Sequence, residues 1–331
     1  MSAPIRVAIL GCGMMAGAHA RRLKARDDVE IVALCDTNPD AMESLSQRRL
    51  AEVTPAPQRF TDIEAMYAQA KPDAVVIVTP HTLHHAHATQ ALDQGCHVLL
   101  EKPMATSTKQ ARELVEAVDA GGKVFIICYN TSFTPAFEHL RLALTDNTYG
   151  RLEMVCGYLA QNWKTLTAGS WRQNPDLSGG GQACDSGAHL LNSLCWTMNQ
   201  PVQEVFALAD NQGTPVDINT ALLARFADGV TANISISGNS EPDASHLAFI
   251  FDKARVEVDG WRGEWIRATT ADGEVSDLPG AIDEANPDEN FIEAIQGNAQ
   301  PRTTARDGLI QAQLMDLIRE SQRTGQPAKA P

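Results

Sequence analysis

Residues 5–20 read "IRVAILGCGMMAGAHA", an apolar strand running through a glycine turn into a helix. Few arrangements accept that order. Gly11 permits a tight turn, Gly13 lets backbone come close to a pyrophosphate, and Ala16 is small enough for the helix to pack against the strand. Phosphates would then lie over the helix N-terminus, where unpaired N–H groups and the helix dipole favour an anion. The context supports a dinucleotide site with the loop residues Gly11, Gly13, Met14 and Met15 against the cofactor. Asp36 ends the second apolar run, 20 residues past Ala16. Its carboxylate can accept hydrogen bonds from the adenosine ribose hydroxyls and would repel a 2′-phosphate. "CDTNPD" offers no arginine beside it, so NAD is favoured over NADP.

The strand–turn–helix grammar continues through residue 128. "EIVALC", "DAVVIVT", "HVLL" and "KVFIIC" are nearly continuous apolar runs, as suits a parallel sheet covered on both faces. Helical patterns lie between them at 16–26, 39–50, 62–70, 83–94 and 107–121. Beyond 128 the pattern changes. A helix opens at Thr134-Pro135, a long strand covers 152–162, and alternating runs from 202 to 270 predict a largely antiparallel sheet with one wetter face. Helices follow from "NPDENFIEAIQG" (286–297) and over 304–324. The predicted fold is α/β. A Rossmann dinucleotide-binding domain spans 1–128, and a substrate-binding and oligomerisation α+β domain with a large, mostly antiparallel, open-faced sheet spans 129–331.

Composition narrows the class. A chain of 331 residues has room for two cores, and its formal net charge of -14 disfavours nucleic acid and anionic membranes as partners. Seven dispersed cysteines without a CxxC pair read as reduced thiols. No run approaches the roughly 18 apolar residues of a membrane span, and "MSAPIRVAIL" has no secretory pattern. A cytoplasmic protein is expected.

Three further stretches carry chemistry. "VTPHTLHH" puts Thr79, Pro80 and His84 at the carboxyl end of a strand, where open α/β sheets bind ligands. Five of the nine histidines fall between 81 and 97, but no Cys pair or acidic cluster closes a metal site, and none is predicted. "HVLLEKPMA" brings Glu101-Lys102-Pro103 to the same crevice. Lys102 can donate to a hydroxyl or carbonyl and stabilise alkoxide charge, or the pair is an ordinary surface one. "SGGGQACDSGAHLLN" sets Asp185 and His189 four apart, on one helical face, behind a flexible glycine run. Trp163 and Trp171 before it can stack on a sugar or belong to the core, and Arg172 can bind hydroxyls. Asn130 follows the last strand of the first domain, near the nicotinamide end.

GCGMMA, Asp36, TPHTLH, EKP, "YNTSFTPAF" and "GGGQACDSGAH" occur in the order found in the glucose–fructose oxidoreductase / inositol dehydrogenase (Gfo/Idh/MocA) family, which the chain resembles. Thr131-Ser132 stand where that family often has an arginine pair, and Asn192 where it has an aspartate; these departures are expected to bear on substrate choice. The resemblance implies that Lys102, Asp185 and His189 surround the reacting carbon. His189 would be the general acid/base, Lys102 the partner of the reacting oxygen, and Asp185 the group that orients the substrate. It implies a carbohydrate-like small-molecule substrate and a homodimer or homotetramer. A redox-neutral, NAD-using glycosidase and a non-catalytic sugar or nucleotide sensor are the alternatives, and retention of all three residues speaks against the sensor.

Overall fold

The apolar runs of the first 128 residues become a six-stranded sheet. In a computed structural model of the protein, residues 3–275 and 286–330 are described. The outer limits drawn for the two domains, residues 1 and 331, lie outside them. The first unit runs β1 (Ile5–Leu10), α1 (Ala16–Leu23), β2 (Val29–Cys35), α2 (Pro39–Leu45), β3 (Gln58–Phe60), α3 (Ile63–Ala70), β4 (Ala74–Ile77), α4 (His84–Asp93), β5 (His97–Leu100), α5 (Thr108–Gly121) and β6 (Phe125–Ile127). The strands are all parallel, in the order β3-β2-β1-β4-β5-β6. That is the Rossmann order, with its crevice at the carboxyl ends of β1 and β4. Helix starts follow local chemistry: the side chains of Asn38 and Asp62 accept from the N–H groups of Asp40 and Ala65.

Two details depart from the sequence pattern. β3 is not among the apolar runs because Gln58 and Arg59 are exposed and only Phe60 turns inward. The helix expected over 39–50 changes character at Ser46–Leu50, a π-helical turn.

The second unit holds α6 (Pro135–Thr145), β7 (Leu152–Ala160), α7 (Trp163–Leu166), α8 (Pro175–Ser178), α9 (Gly187–Met198), β8 (Val202–Asp210), β9 (Asn219–Phe226), β10 (Thr231–Ser237), β11 (Ala244–Phe251), β12 (Ala254–Val258), β13 (Ile266–Thr270) and β14 (Gly273–Val275). After α10 (Pro287–Ile295), α11 (Ala305–Thr324) and β15 (Ala328–Lys329) complete the described chain. Its nine strands form one sheet, β14-β13-β12-β11-β7-β10-β9-β8-β15. β7 and β10 pair in parallel, and every other pair is antiparallel. Strict alternation of buried and exposed residues along β9 and β10 gives the sheet one core face. That face packs on Phe137 and Leu140 of α6, Leu190 and Leu194 of α9, and Leu314 and Ile318 of α11. The opposite face leaves Met154, Tyr158, Leu208, Leu223 and Trp265 exposed. Thr134 is the N-cap residue of α6, as its position before Pro135 predicts, but its hydroxyl donates to the carbonyl of Thr131 instead of receiving a helix N–H.

The domain limits of 1–128 and 129–331 need two corrections. Asn286–Ala305 belongs with the first unit, and Ala105–Lys109 with the second. The physical reason lies in α10, whose Phe291 and Ile292 are fully buried in the same core as Val7, Leu23, Leu99 and Ile126. A hydrogen bond from the Ile127 N–H to the Thr303 carbonyl continues that attachment along β6. Near the start of α5, the Thr108 N–H donates to the Asp316 carboxylate of α11.

Candidate dinucleotide site and acid–base residues

Gly11 has φ +90, and a Cβ there would lie 2.6 Å from the Val78 carbonyl oxygen just past β4. Only glycine fits both conditions. Gly13 is different: a Cβ would meet nothing within 4 Å, so the missing side chain leaves open space at the loop. Asp36 ties the loop down. Its carboxylate accepts from the N–H of Cys12 at 2.7 Å and from that of Asn38 at 2.9 Å. α1 then starts with Met15 at its N-cap and no side-chain cap; the Gly17 and Ala18 N–H groups turn back to the carbonyls of Met14 and Met15. Met14 beside it is exposed. Open space at Gly13, an uncapped helix start and a carboxylate at the end of β2 together fit a dinucleotide, its pyrophosphate at α1 and its ribose at Asp36.

At the end of β4, Thr79 and Pro80 lead into the histidine segment. His84 is completely buried, and its ring nitrogens face the carbonyls of Pro103 at 2.7 Å and Thr79 at 2.8 Å. Burial and the nearby His81 push its pKa down to about 4 against the pull of those carbonyls; the neutral ring has one N–H, which donates to one of the two carbonyls. The expected cofactor contact of His84 is therefore corrected: the imidazole pins the Glu101–Lys102–Pro103 turn to the end of β4. His87 Nδ1 lies 3.0 Å from the Thr79 hydroxyl, and His97 accepts from the Val124 N–H. These partners, local to the fold, account for much of the histidine density.

Glu101 is also engaged. One carboxylate oxygen lies 3.2 Å from His19 Nε2, and the other accepts from the Lys102 N–H at 3.2 Å. His19 Nδ1 in turn lies 2.7 Å from Asp288 of α10, which Arg22 also holds at 2.8 Å. Burial opposes charge on His19, but the Asp288 and Glu101 carboxylates outweigh it and raise its pKa to about 10. Asp288 moves the other way: burial raises it, yet His19 and Arg22 bring it below the ordinary carboxylate value. Sequence reading missed this chain of contacts, since its partners lie up to 269 positions apart.

In the second unit the glycine run has a steric cause. A Cβ on Gly181 would lie 2.0 Å from the Asp217 carbonyl oxygen, while the Gly181 and Ala183 N–H groups donate to the Asp217 carboxylate. This close docking delivers Asp185 and the start of α9. Asp185 is buried, and one of its oxygens takes the Trp163 indole N–H at 2.8 Å and the Arg172 guanidinium at 3.0 Å. Trp163 packs in a small cluster with Val216 and Ile218, so its ring is not a platform for a sugar; its role is to hold Asp185. Trp171 carries the Arg172 guanidinium over its ring, 4.6 Å from the centroid. His189 lies in the first turn of α9, half-buried. Asn130 is exposed, on the short 3₁₀ turn Asn130–Phe133. Ser132 and Asn192, both departures from the family pattern, are buried and bonded to each other at 3.2 Å, with Thr131 bonded to Ser193 beside them. Neutral hydrogen-bonded pairs thus occupy these positions.

Fold and loop together define a dinucleotide-binding protein of the Rossmann class. The chain matches the oxidoreductase family with an NAD-binding Rossmann fold (GFO_IDH_MocA) over residues 5–129, and the GFO/IDH/MocA C-terminal domain over residues 137–266. It belongs to that oxidoreductase family. Among curated relatives, D-glucoside 3-dehydrogenase of Escherichia coli (strain K12) is 34% identical over 209 residues, 60% of this chain and 56% of that protein. The match thus spans little more than half of that relative's own length. The 1,5-anhydro-D-fructose reductase of Ensifer adhaerens is 28% identical over 81% of this chain and 83% of that protein. Among solved structures, the WlbA dehydrogenase from Bordetella pertussis, in complex with NADH and UDP-GlcNAcA, superposes with TM-score 0.84 and 24% identity over 99% of both chains.

The two loop glycines give a direct test of the cradle. Gly11→Ala should lower the melting temperature clearly, because the Cβ meets backbone at 2.6 Å in a left-handed conformation. Gly13→Val should leave the melting temperature nearly unchanged yet weaken NAD by roughly tenfold or more, since it fills only the open space. Calorimetry of both variants, with and without NAD, separates the two effects; unchanged NAD affinity in Gly13→Val would place the pyrophosphate elsewhere.

Proposed function

We propose that the protein is an NAD-dependent dehydrogenase that oxidises a secondary hydroxyl of a sugar, cyclitol or sugar derivative. The observation that carries the reading is the cradle: open space at Gly13, the uncapped start of α1, and Asp36 fixed beside the loop. NAD, when bound, supplies the hydride acceptor. The chain's own residues handle the proton and the developing charge. His189 removes the hydroxyl proton, a task suited to a group whose unperturbed pKa is near ~6.5. Lys102 donates to the reacting oxygen and stabilises its alkoxide character. Asp185 orients a neighbouring hydroxyl, and Trp163 and Arg172 keep its carboxylate from turning away. Carbohydrate-acting relatives, one oxidising a glucoside and one reducing an anhydro sugar, support the substrate class.

NADH absorbance with NAD and a panel of inositols, aldoses, sugar acids and anhydro sugars tests the reading. One compound should produce NADH stoichiometrically. Lys102→Met and His189→Ala should each cut turnover by roughly a hundredfold with NAD affinity nearly intact. NADH-free cleavage of a glycoside would instead select the redox-neutral hydrolase.

Preference for NAD over NADP rests on the Asp36 carboxylate. Because Asp36 also holds the Cys12 N–H, Asp36→Asn is a cleaner probe than alanine; its amide oxygen can keep that bond while the charge goes. The ratio of NAD to NADP affinity should fall by roughly tenfold. Equal weakening of both cofactors would leave Asp36 a loop anchor only.

The exposed apolar side chains Met154, Tyr158, Leu208, Leu223 and Trp265 on one sheet face support a homodimer or homotetramer closed through that face. Sedimentation should show the oligomer, and Leu223→Glu with Tyr158→Glu should shift it to monomer. A wild-type monomer at micromolar concentration would overturn this assembly.

A further inference from the structure

Lys102 stands between two residues that the first unit grips through histidines. His84 holds the Pro103 carbonyl on one side, and His19 holds the Glu101 carboxylate on the other. The grips differ in kind. His84 is neutral and its ring nitrogens face two backbone carbonyls, whereas His19 lies between two buried carboxylates, with Arg22 on the far side of Asp288. His19 and Arg22 belong to α1, the helix that opens at the glycine loop, so this ion chain joins the loop's helix to the Lys102 turn.

We propose that His19 is a positioning residue for Lys102, fixing the Glu101–Lys102–Pro103 turn relative to α1 through its paired contacts with Glu101 and Asp288. The proposal rests on Lys102 acting on the reacting oxygen. Charge balance explains why a histidine serves. Glu101 and Asp288 carry two negative charges into a buried site, and His19 and Arg22 supply two positive ones. Were His19 neutral, the two buried carboxylates would share one counter-charge fewer, and the His19 contact that helps hold the Glu101 carboxylate toward the Lys102 N–H would weaken. The groups facing His19 are Asp288 from α10, Glu101 from the end of β5, Cys128 just past β6, and Arg22 from its own helix.

His19, Glu101 and Cys128 also bring one potential metal ligand each within 4.8 Å of one another. The arrangement is that of an ion pair. His19 Nε2 is already directed at Glu101, and burial with the two carboxylates keeps the Cys128 thiol protonated.

The test uses the full-length protein with ¹⁵N-labelled histidine and lysine, and the variant Asp288→Asn. In the wild type the His19 ring should stay doubly protonated at pH 8. In the variant its titration should fall by roughly one to three pH units, because one of the two opposing charges is gone. The Lys102 backbone amide signal should then move with the same midpoint. Turnover should drop roughly tenfold or more as pH rises through that midpoint, while the NAD dissociation constant stays within about twofold. Glu101→Gln, which removes the other carboxylate charge, gives the same readout should Asp288→Asn fail to fold. A Lys102 amide indifferent to the His19 titration overturns the proposal, as does a pH–rate profile identical to the wild type. Absence of turnover with every compound tried would overturn the dehydrogenase reading alone, because the amide signal still decides whether His19 and Lys102 are coupled.

Discussion

The close passage of Gly11 over the Val78 carbonyl is the contact on which the first unit is built. β1 must end there, because a left-handed residue pressed against backbone stops the strand and turns it. The turn brings the Cys12 N–H to Asp36 and leaves open space at Gly13. α1 begins before any side chain can cap it. One steric constraint between adjacent parallel strands therefore goes with open space at Gly13, a carboxylate fixed at the end of β2 and a helix whose fourth residue, His19, reaches Glu101.

Electrostatics divides this acidic chain into two regimes. Most surface pairs, such as Arg323 with Glu320, are exposed and contribute little. Buried carboxylates are held in other ways: Asp259 by the Ser245 hydroxyl and backbone N–H groups, and two others by cations. Asp288 has His19 and Arg22, and Asp185 has Arg172 with the Trp163 indole. Removing one partner from such a set leaves an uncompensated charge in a dry site, which costs far more than the pair contributes. Geometry at both places is thus held by charge matching as well as by packing.

Much of this was legible in the sequence where the signal is local. Five of the six parallel strands are continuous apolar runs, and the glycine loop has the spacing its turn requires. β3 escaped because only one of its three residues is buried. The assignment of α10 to the first core could not be read from Phe291 and Ile292 alone, since an amphipathic helix shows that a face is buried but not against what. Trp163 and His84 were recognisable as important, yet their partners, Asp185 and the Pro103 carbonyl, were not. His19 gave no signal at all: a lone histidine in the helix after the loop becomes meaningful only when α10 folds back with Asp288.

The glycines before Asp185 answer to the same logic as Gly11. In both places a chain segment must lie directly on another backbone, Gly181 on Asp217 and Gly11 on Val78, and in both the next titratable groups are fixed by what that contact permits. At Gly181 the Asp217 carboxylate takes two N–H groups of the run, so the segment is held by hydrogen bonds as well as by lack of a side chain. Asp185 then meets Trp163 and Arg172 from a fixed direction in the turn before α9, not on the helix as the i, i+4 spacing predicts, and His189 follows in the first turn of the helix. A flexible glycine run would not hold either group in one direction. Docked as it is, the run supplies a rigid base, and its glycines are required for close approach more than for freedom.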